Sequence, residues 1–273
     1  MRKLIYFFLL TSIFIRINGQ DSTFNSGEEL GNLYERLAKN NNDSIKIRIN
    51  DSIRVIIDNY VRSDSIFDHN FKNIRYLGQI TSPDSLLKIV TWNLVLEDNN
   101  GMYFCYLIRR GELTGKKWIY NLQTPYRQES IKTDTIIIES EWYGALYYDL
   151  KPYFVNGRQC WVLLGLDYGN PEITRKIIDV LNFTPNSVVS FGSKWFLVED
   201  NLRYRKVFEY ASGGMMTLRF TSDTSIVFDH LVPFSPEMEG DRRYYGPDYS
   251  YDAYIYRNGI WNLSLNVDAR NKE

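Results

Sequence analysis

The sequence is poor in the side chains that most often carry chemistry: 273 residues include two cysteines and two histidines. Scattered as they are, these make no ligand spacing of the zinc type, so no metal site is expected from them. Cys105 and Cys160 both lie in apolar runs, MYFCYLI and QCWVLLG. A free Cys in such a run behaves as a small buried hydrophobe, whereas a disulfide needs neighbouring strands to align their Cβ atoms. Both outcomes stay open at this point. There is no Gly-x-Ser-x-Gly elbow, no phosphate-binding glycine loop and no papain-like context around either Cys. Basic charge is not in excess either, with 32 Lys plus Arg against 33 Asp plus Glu. Without a basic stripe to displace counterions from phosphates, a nucleic-acid partner is not expected. No period of 20–50 residues repeats, which gives no support to a propeller or solenoid.

Long apolar runs are also missing, with one exception at the start. MRKLIYFFLLTSIFIRING opens with Arg2 and Lys3 and continues into an apolar stretch over residues 4–15. That is the layout of a secretory signal, and a dozen residues are too short for about 30 Å of hydrocarbon at 1.5 Å each. The small Gly19 suits the position before cleavage. The expectation is a signal peptide over residues 1–19, a mature chain from Gln20, and export to the periplasm or beyond. No transmembrane span remains after signal removal.

What is plentiful is aromatic area: 21 Tyr, 15 Phe and 6 Trp make 15% of the chain. Such residues suit pleated, half-buried surfaces. Residues 20–72 read as a polar lead (20–27) followed by a helical N-terminal region. Leu30, Leu33, Tyr34 and Leu37 share one helix face, as do Ile45, Ile49, Ile53, Ile56, Ile57 and Tyr60 further on. Asp43 or Ser44 suits the N-cap of that second helix. From residue 73 to 273 the pattern is that of an antiparallel β domain. In KIVTWNLVL, Val90, Trp92, Leu94 and Leu96 alternate onto one face. Asn100-Gly101, Asn156-Gly157, Gly213-Gly214 and Asn258-Gly259 read as tight turns between strands. Residues 173–183 fit either a helix opened by Asn170 and Pro171 or a strand, and the β pattern on both flanks favours the strand. Residues 235–250, SPEMEGDRRYYGPDYS, form the one long irregular segment, with Gly246-Pro247 as a turn. The expected fold is mainly β, antiparallel sheets in a barrel or a sandwich, with a small helical N-terminal region.

Candidate chemistry is sparse. His230 follows Asp229, but neighbours on a strand point to opposite faces, so Asp229 is badly placed to orient it. Alternation puts His230 with Phe228 and Val232, where a structural role is the simplest reading. Glu139, Glu141 and Asp149 flank the aromatic group Trp142, Tyr143, Tyr147 and Tyr148, a composition compatible with a glycosidase cleft. Of these, Glu141, Asp149 and His230 are the catalytic candidates. The phrase YYGPDYSYDAY offers Asp248 and Asp252 among Tyr244, Tyr245, Tyr249 and Tyr251. Trp142, Tyr143, Tyr245, Asp248, Tyr249 and Asp252 are therefore the binding candidates, since Tyr supplies rigid contact area with a polar tip. Calcium is the one cofactor to weigh, at Asp248 and Asp252 or at Asp167, although neither place has EF-hand spacing.

The phrases WYGALYYDL, KIIDVLNF, IVFDHLVPFSP, YYGPDYSYDAY and SPDSLLKIVTWNL resemble an uncharacterised family of secreted proteins from Bacteroidetes-type bacteria. The resemblance covers roughly residues 70–268 and implies lineage and compartment, with no activity and no catalytic residue to carry over. It also implies O-glycosylation at Asp-Ser/Thr followed by an apolar residue or Thr, a pattern present at Ser22, Ser44, Ser52, Ser65, Ser85 and Thr135. The expected role is a non-catalytic binding or structural component of the cell envelope, with an envelope protein or a glycan as partner. The alternative is a carboxylate-dependent glycan hydrolase.

Overall fold

A computed structural model describes residues 20–155, 157–184 and 188–268. The expected signal peptide over residues 1–19 lies outside the described residues, as does Asn156 of the second expected turn. Helix α1 spans Gln20–Lys39 and α2 spans Asp43–Arg62. The helix therefore starts at Gln20, and the expected polar lead over residues 20–27 is part of it. The N-cap of α2 is Asn42, whose Oδ1 accepts from the Ile45 N–H at 3.1 Å. Asp43 is already helical, and its carboxylate is turned to the Glu97 N–H instead. Asn42→Ala should cost about 1 kcal/mol in urea unfolding; a loss near zero would show that the amide at Ile45 is satisfied without this cap.

Ile49, Ile53, Ile57 and Val61 form the buried stripe of α2 and pack on Val90, Trp92 and Leu94. Asn50 is buried in the same seam and accepts the Trp92 indole N–H at 2.9 Å. Lys88 is fully buried on this side. Its ammonium donates to Ile66 O, His69 O and Asn70 Oδ1 at 2.5, 2.6 and 2.7 Å, which pins the chain leaving α2 to the sheet below. His69 has a structural place here, its ring against Tyr60 and Phe71.

Sixteen strands follow among the described residues. Strands β1 (Gly78–Thr81), β2 (Leu87–Val95), β3 (Gly101–Arg110) and β4 (Lys117–Pro125) make the first sheet in that order. Strands β5 (Ile137–Ile138), β6 (Leu146–Val155), β7 (Arg158–Asp167), β8 (Ile173–Phe183) and β9 (Val189–Phe191) make the second, in the order β5-β9-β8-β7-β6. Then come β10 (Phe196–Val198), β11 (Asn201–Arg203), β12 (Lys206–Ala211), β13 (Leu218–Ser222), β14 (Ser225–Pro233), β15 (Tyr245–Arg257) and β16 (Ile260–Ser264). The third sheet runs β11-β10-β16-β15-β14-β13, with β10 and β16 parallel. Strand β12 leaves its neighbours to pair with the first half of β8 in the second sheet.

None of the sheets closes into a barrel; they stack as a sandwich of more than two layers. One core lies between the first and second sheets, with Leu87, Cys105 and Leu107 facing Trp161, Leu163 and Leu181. Another lies between the second and third, where Val162, Leu164, Ile178 and Val180 meet Ile226, Phe228, Tyr254 and Trp261. The helices cover the outer face of the first sheet. The middle sheet is thus buried on both faces, which is why β7 reads as the apolar run CWVLLGL, while β8 carries Arg175 and Asp179 into the interior as ion-paired groups. The same layering settles the cysteines. Cys105 points into the first core and Cys160 into the other, so they stand on opposite sides of the middle sheet, and both are free.

Two turn expectations need correction. The β2–β3 hairpin turns at Asp98 and Asn99, both with positive φ, closed by Asn100 N–H to Glu97 O. Gly101 opens the next strand, where a Cβ would meet Leu94 O at 2.5 Å. Gly213-Gly214 does not join a hairpin at all, because β12 and β13 belong to different sheets. Asn258-Gly259 holds as read, both residues left-handed between Arg257 and its partner Ile260.

Candidate functional site

Residues 235–250 are not one irregular loop. Two short 3₁₀ turns, Pro236–Met238 and Arg242–Tyr244, lead into β15, which starts at Tyr245. Gly246-Pro247 is therefore strand rather than turn, paired with Val232 and Leu231 of β14. Next to it the register breaks. Leu231 pairs with Pro247 and Asp229 with Tyr251, so His230 alone faces the three residues Asp248, Tyr249 and Ser250. Tyr249 takes the strain with φ 69° and projects outward, 96% exposed. The surplus residues belong to β15, just beyond the regular pair Phe228–Asp252, and His230, two residues along β14 from Phe228, lies diagonally across from Asp252 on the same face.

The pair is close and one-sided. His230 Nδ1 lies 2.7 Å from Asp252 Oδ2, and the other carboxylate oxygen accepts the Asn266 N–H at 3.0 Å. Asp252 is 4% exposed, whereas the His230 side chain is 38% exposed. A buried carboxylate on Nδ1 fixes the ring and leaves Nε2 for whatever enters from outside. As expected, Asp229 does not orient it; its Oδ2 accepts the Thr217 N–H at 2.7 Å on the opposite side.

His230 opens on a cleft of about 420 Å³ between the second and third sheets. Its walls include Lys206 and Glu209 from β12, Asp229 and His230 from β14, Arg242, Asp252 and a set of apolar side chains. Every carboxylate in it is already engaged: Glu209 by Arg175 at 2.8 Å, Asp229 by Thr217, and Asp252 by His230 and Asn266. The cations are not. Among the described residues, neither Lys206 nor Arg242 makes an ion pair, each lying instead over a ring, Phe208 and Tyr245 respectively. Burial, and then the positive charge of Arg242, push the Lys206 ammonium below the ordinary lysine value.

One wall of the cleft is a strap of residues 126–136, which links the first sheet to the second without helix or strand. Two buried arginines hold it by its carbonyls. Arg175, ion-paired to Asp167 and Glu209, donates to Arg127 O and Gln128 O. Arg205, ion-paired to Asp179 at 2.8 Å, donates to Lys132 O and Thr135 O. Ser130 and Ile131 of the strap face this cleft and also a second one of about 690 Å³ on its other side. Its lining carries acids and bases in equal number, Glu129, Glu141 and Asp167 with Arg127, Lys132 and Arg175.

The structure brings together His230 and Asp252, with Asp248 close enough to feel the imidazole. Hydrogen bonds from Ser250 hold the Asp248 carboxyl below its usual range. The other candidates lie elsewhere. Glu141 is exposed at a 3₁₀ turn, Glu139–Glu141, and borders the second cleft. Asp149 sits on β6 beside a register break, its carboxyl raised by burial and bonded to the Leu150 N–H. Trp142 and Tyr143 pack in the first core, Tyr143 also bordering the second cleft. The indole of Trp142 donates to Tyr147, and the Tyr143 hydroxyl donates to Asp179 at 2.8 Å. Tyr245 is buried beneath Arg242. Asp167 accepts from Tyr103 and the Gly169 N–H and pairs with Arg175, so donors occupy the oxygens a calcium ion would need. The two arginine clamps carry no sequence signal, because each reaches its strap carbonyls across 47 residues or more, and Lys206 and Arg242 meet only where the fold brings β12 beside the turn before β15.

The chain was compared with family models, with curated proteins and with solved structures, and nothing matches it in any of the three.

Proposed function

We propose that this chain is a non-catalytic binding component of the cell envelope, exported under the direction of residues 1–19, and that it recognises its ligand through the His230 cleft. The observation that supports this reading is convergence: polar groups from β12, β14 and β15 and the 3₁₀ turn at Arg242 meet in one concavity. Among the described residues, the His230 ring bonds Asp252, and no hydroxyl or thiol bonds it. The ring is placed to hold a ligand rather than to activate a nucleophile of the protein. The alternative, a carboxylate-dependent glycan hydrolase, draws less support, because Glu141 borders the other cleft and Asp149 lies on β6.

Titration of the purified protein with envelope glycans and small metabolites tests the reading. A saturable ligand should raise the melting temperature, lose affinity on His230→Ala, and be recovered chemically unchanged. Turnover of that ligand would replace binding with catalysis as the role. A ligand unaffected by His230→Ala would place recognition elsewhere.

A further inference from the structure

We propose that the His230 cleft is an oxyanion site: it takes an organic anion whose carboxylate, phosphate or sulfate head sits between Lys206, Arg242 and the free Nε2 of His230. This rests on the reading that the cleft is the recognition site, and adds the chemistry of what it recognises. Three observations converge. First, the sign of the cleft is set by what is left over. Its three carboxylates, Glu209, Asp229 and Asp252, have their donors within the fold, whereas Lys206 and Arg242 make no ion pair among the described residues, Glu199 and Asp252 acting on Lys206 only from a distance. Two cations drawn into one half-enclosed space repel each other, and an anion between them removes that repulsion.

Second, the donors suit an oxyanion. A guanidinium offers a planar fork to two oxygens, an ammonium adds a point charge, and an imidazole fixed at Nδ1 by Asp252 offers a third direction. Arg242 is steadied by the Tyr245 ring at 4.3 Å, so less freedom is lost when it binds. Third, the remaining wall is apolar: Ile131, Phe228, Leu231, Leu263 and Leu265 line the same space. A bare inorganic ion would leave that surface uncovered, so the ligand carries an apolar or ring-shaped body behind its charged head. The volume of about 420 Å³ admits a group of the size of a sugar or a substituted ring.

The chain has two histidines, and His69 is packed between Tyr60 and Phe71, so the ring signals of His230 make a clean probe. The probes are phenyl phosphate, benzoate and glucuronate, each set against a neutral counterpart: phenol, benzyl alcohol and glucose. Calorimetry and the His230 ring resonances are read together. At least one anion should bind and shift the His230 signals while its neutral counterpart does not, and its affinity should fall as salt is raised. Lys206→Met and Arg242→Met should each weaken it by about tenfold or more. Arg243→Met should leave it unchanged, since Arg243 is paired outward to Asp241 and Glu172. Which anion binds best separates a carboxylate from a phosphate ligand.

Failure takes distinguishable forms. A neutral probe that binds as well as its anion and shifts His230 overturns the oxyanion site but keeps the cleft as the recognition site. An anion whose binding leaves His230 and both variants unaffected overturns the two readings together. If none of the six probes binds, the oxyanion proposal falls, and the broader glycan and metabolite titration decides the cleft.

Discussion

Replacing Arg205 with methionine should lower stability by about 3–5 kcal/mol, because it leaves a carboxylate uncompensated inside the core. Arg205 is fully buried, with Nε on Asp179 Oδ2 and the other nitrogens on Lys132 O, Thr135 O and Phe191 O. Asp179 is equally buried and would keep the Tyr143 hydroxyl and the Val180 N–H, neither of which carries charge. In a chain of this length each kcal/mol moves the melting temperature by roughly 2–4 °C, so a fall of about 10 °C is expected. The double variant Arg205→Met with Asp179→Leu should recover much of the loss, since it removes the stranded charge as well. A single variant that melts within about 2 °C of the parent would mean the pair is dispensable. The strap depends on the same residue. Amides in the segment that follows Gln128 should exchange faster in Arg205→Met, and the cleft that this segment walls should lose affinity for its ligand.

Lys88→Met should cost on the order of 2–4 kcal/mol at neutral pH, because three oxygen acceptors lose their one shared donor. Met fills similar volume, so the loss reads the polar contacts rather than a cavity. Burial depresses the Lys88 ammonium to about 8, below the ordinary lysine value, although Asp68 acts in the opposite direction. The unfolded chain therefore binds more protons at this residue over the window from about 8 to about 10.4. Stability from this group must rise with pH across that window. The difference in unfolding free energy, parent minus Lys88→Met, should accordingly widen between pH 8 and 10. Urea titrations of both proteins at pH 7, 8, 9 and 10 measure it. A difference that narrows instead would show that the folded ammonium is stabilised above its unfolded state.

The β content was legible because it is written in short-range alternation. Val90, Trp92 and Leu94 do face one core, and residues 173–183 are the strand β8. The layering was less legible. The unbroken apolar run at β7 states that both faces are buried, but not by what. Residues 235–250 misled because Gly, Pro and Asp are dense there. Pro247 is tolerated in a strand since residues 245–250 pair with β14 alone, and β16 joins β15 only from Ala253 onward. The missing N–H of Pro247 thus faces away from the ladder. Gly213-Gly214 misled for a different reason: a turn composition says that the chain reverses, not which sheet it enters next. As for the site, His230 and Asp252 were visible as residues and invisible as a pair. Strand parity links His230 to its own face, but only the register of β14 on β15, Phe228 opposite Asp252, decides which side chain it meets. Lys206 and Arg242 look like ordinary surface charges until the fold shows that, among the described residues, neither makes an ion pair.

The place of the last strand in the third sheet has a consequence in time. Strand β16 bridges β15 and β10, so the sheet that covers Val162, Leu164, Ile178 and Val180 is complete only after the chain has been made through Ser264. A chain delivered from its N-terminus builds the helices and the first sheet early, then holds a bare apolar face while roughly the last third of its length is still arriving. The interval between β8 and β16 is thus when the chain is most exposed to sticking to its neighbours. Any slowing of delivery in that interval lengthens the hazard without changing a single contact of the finished molecule.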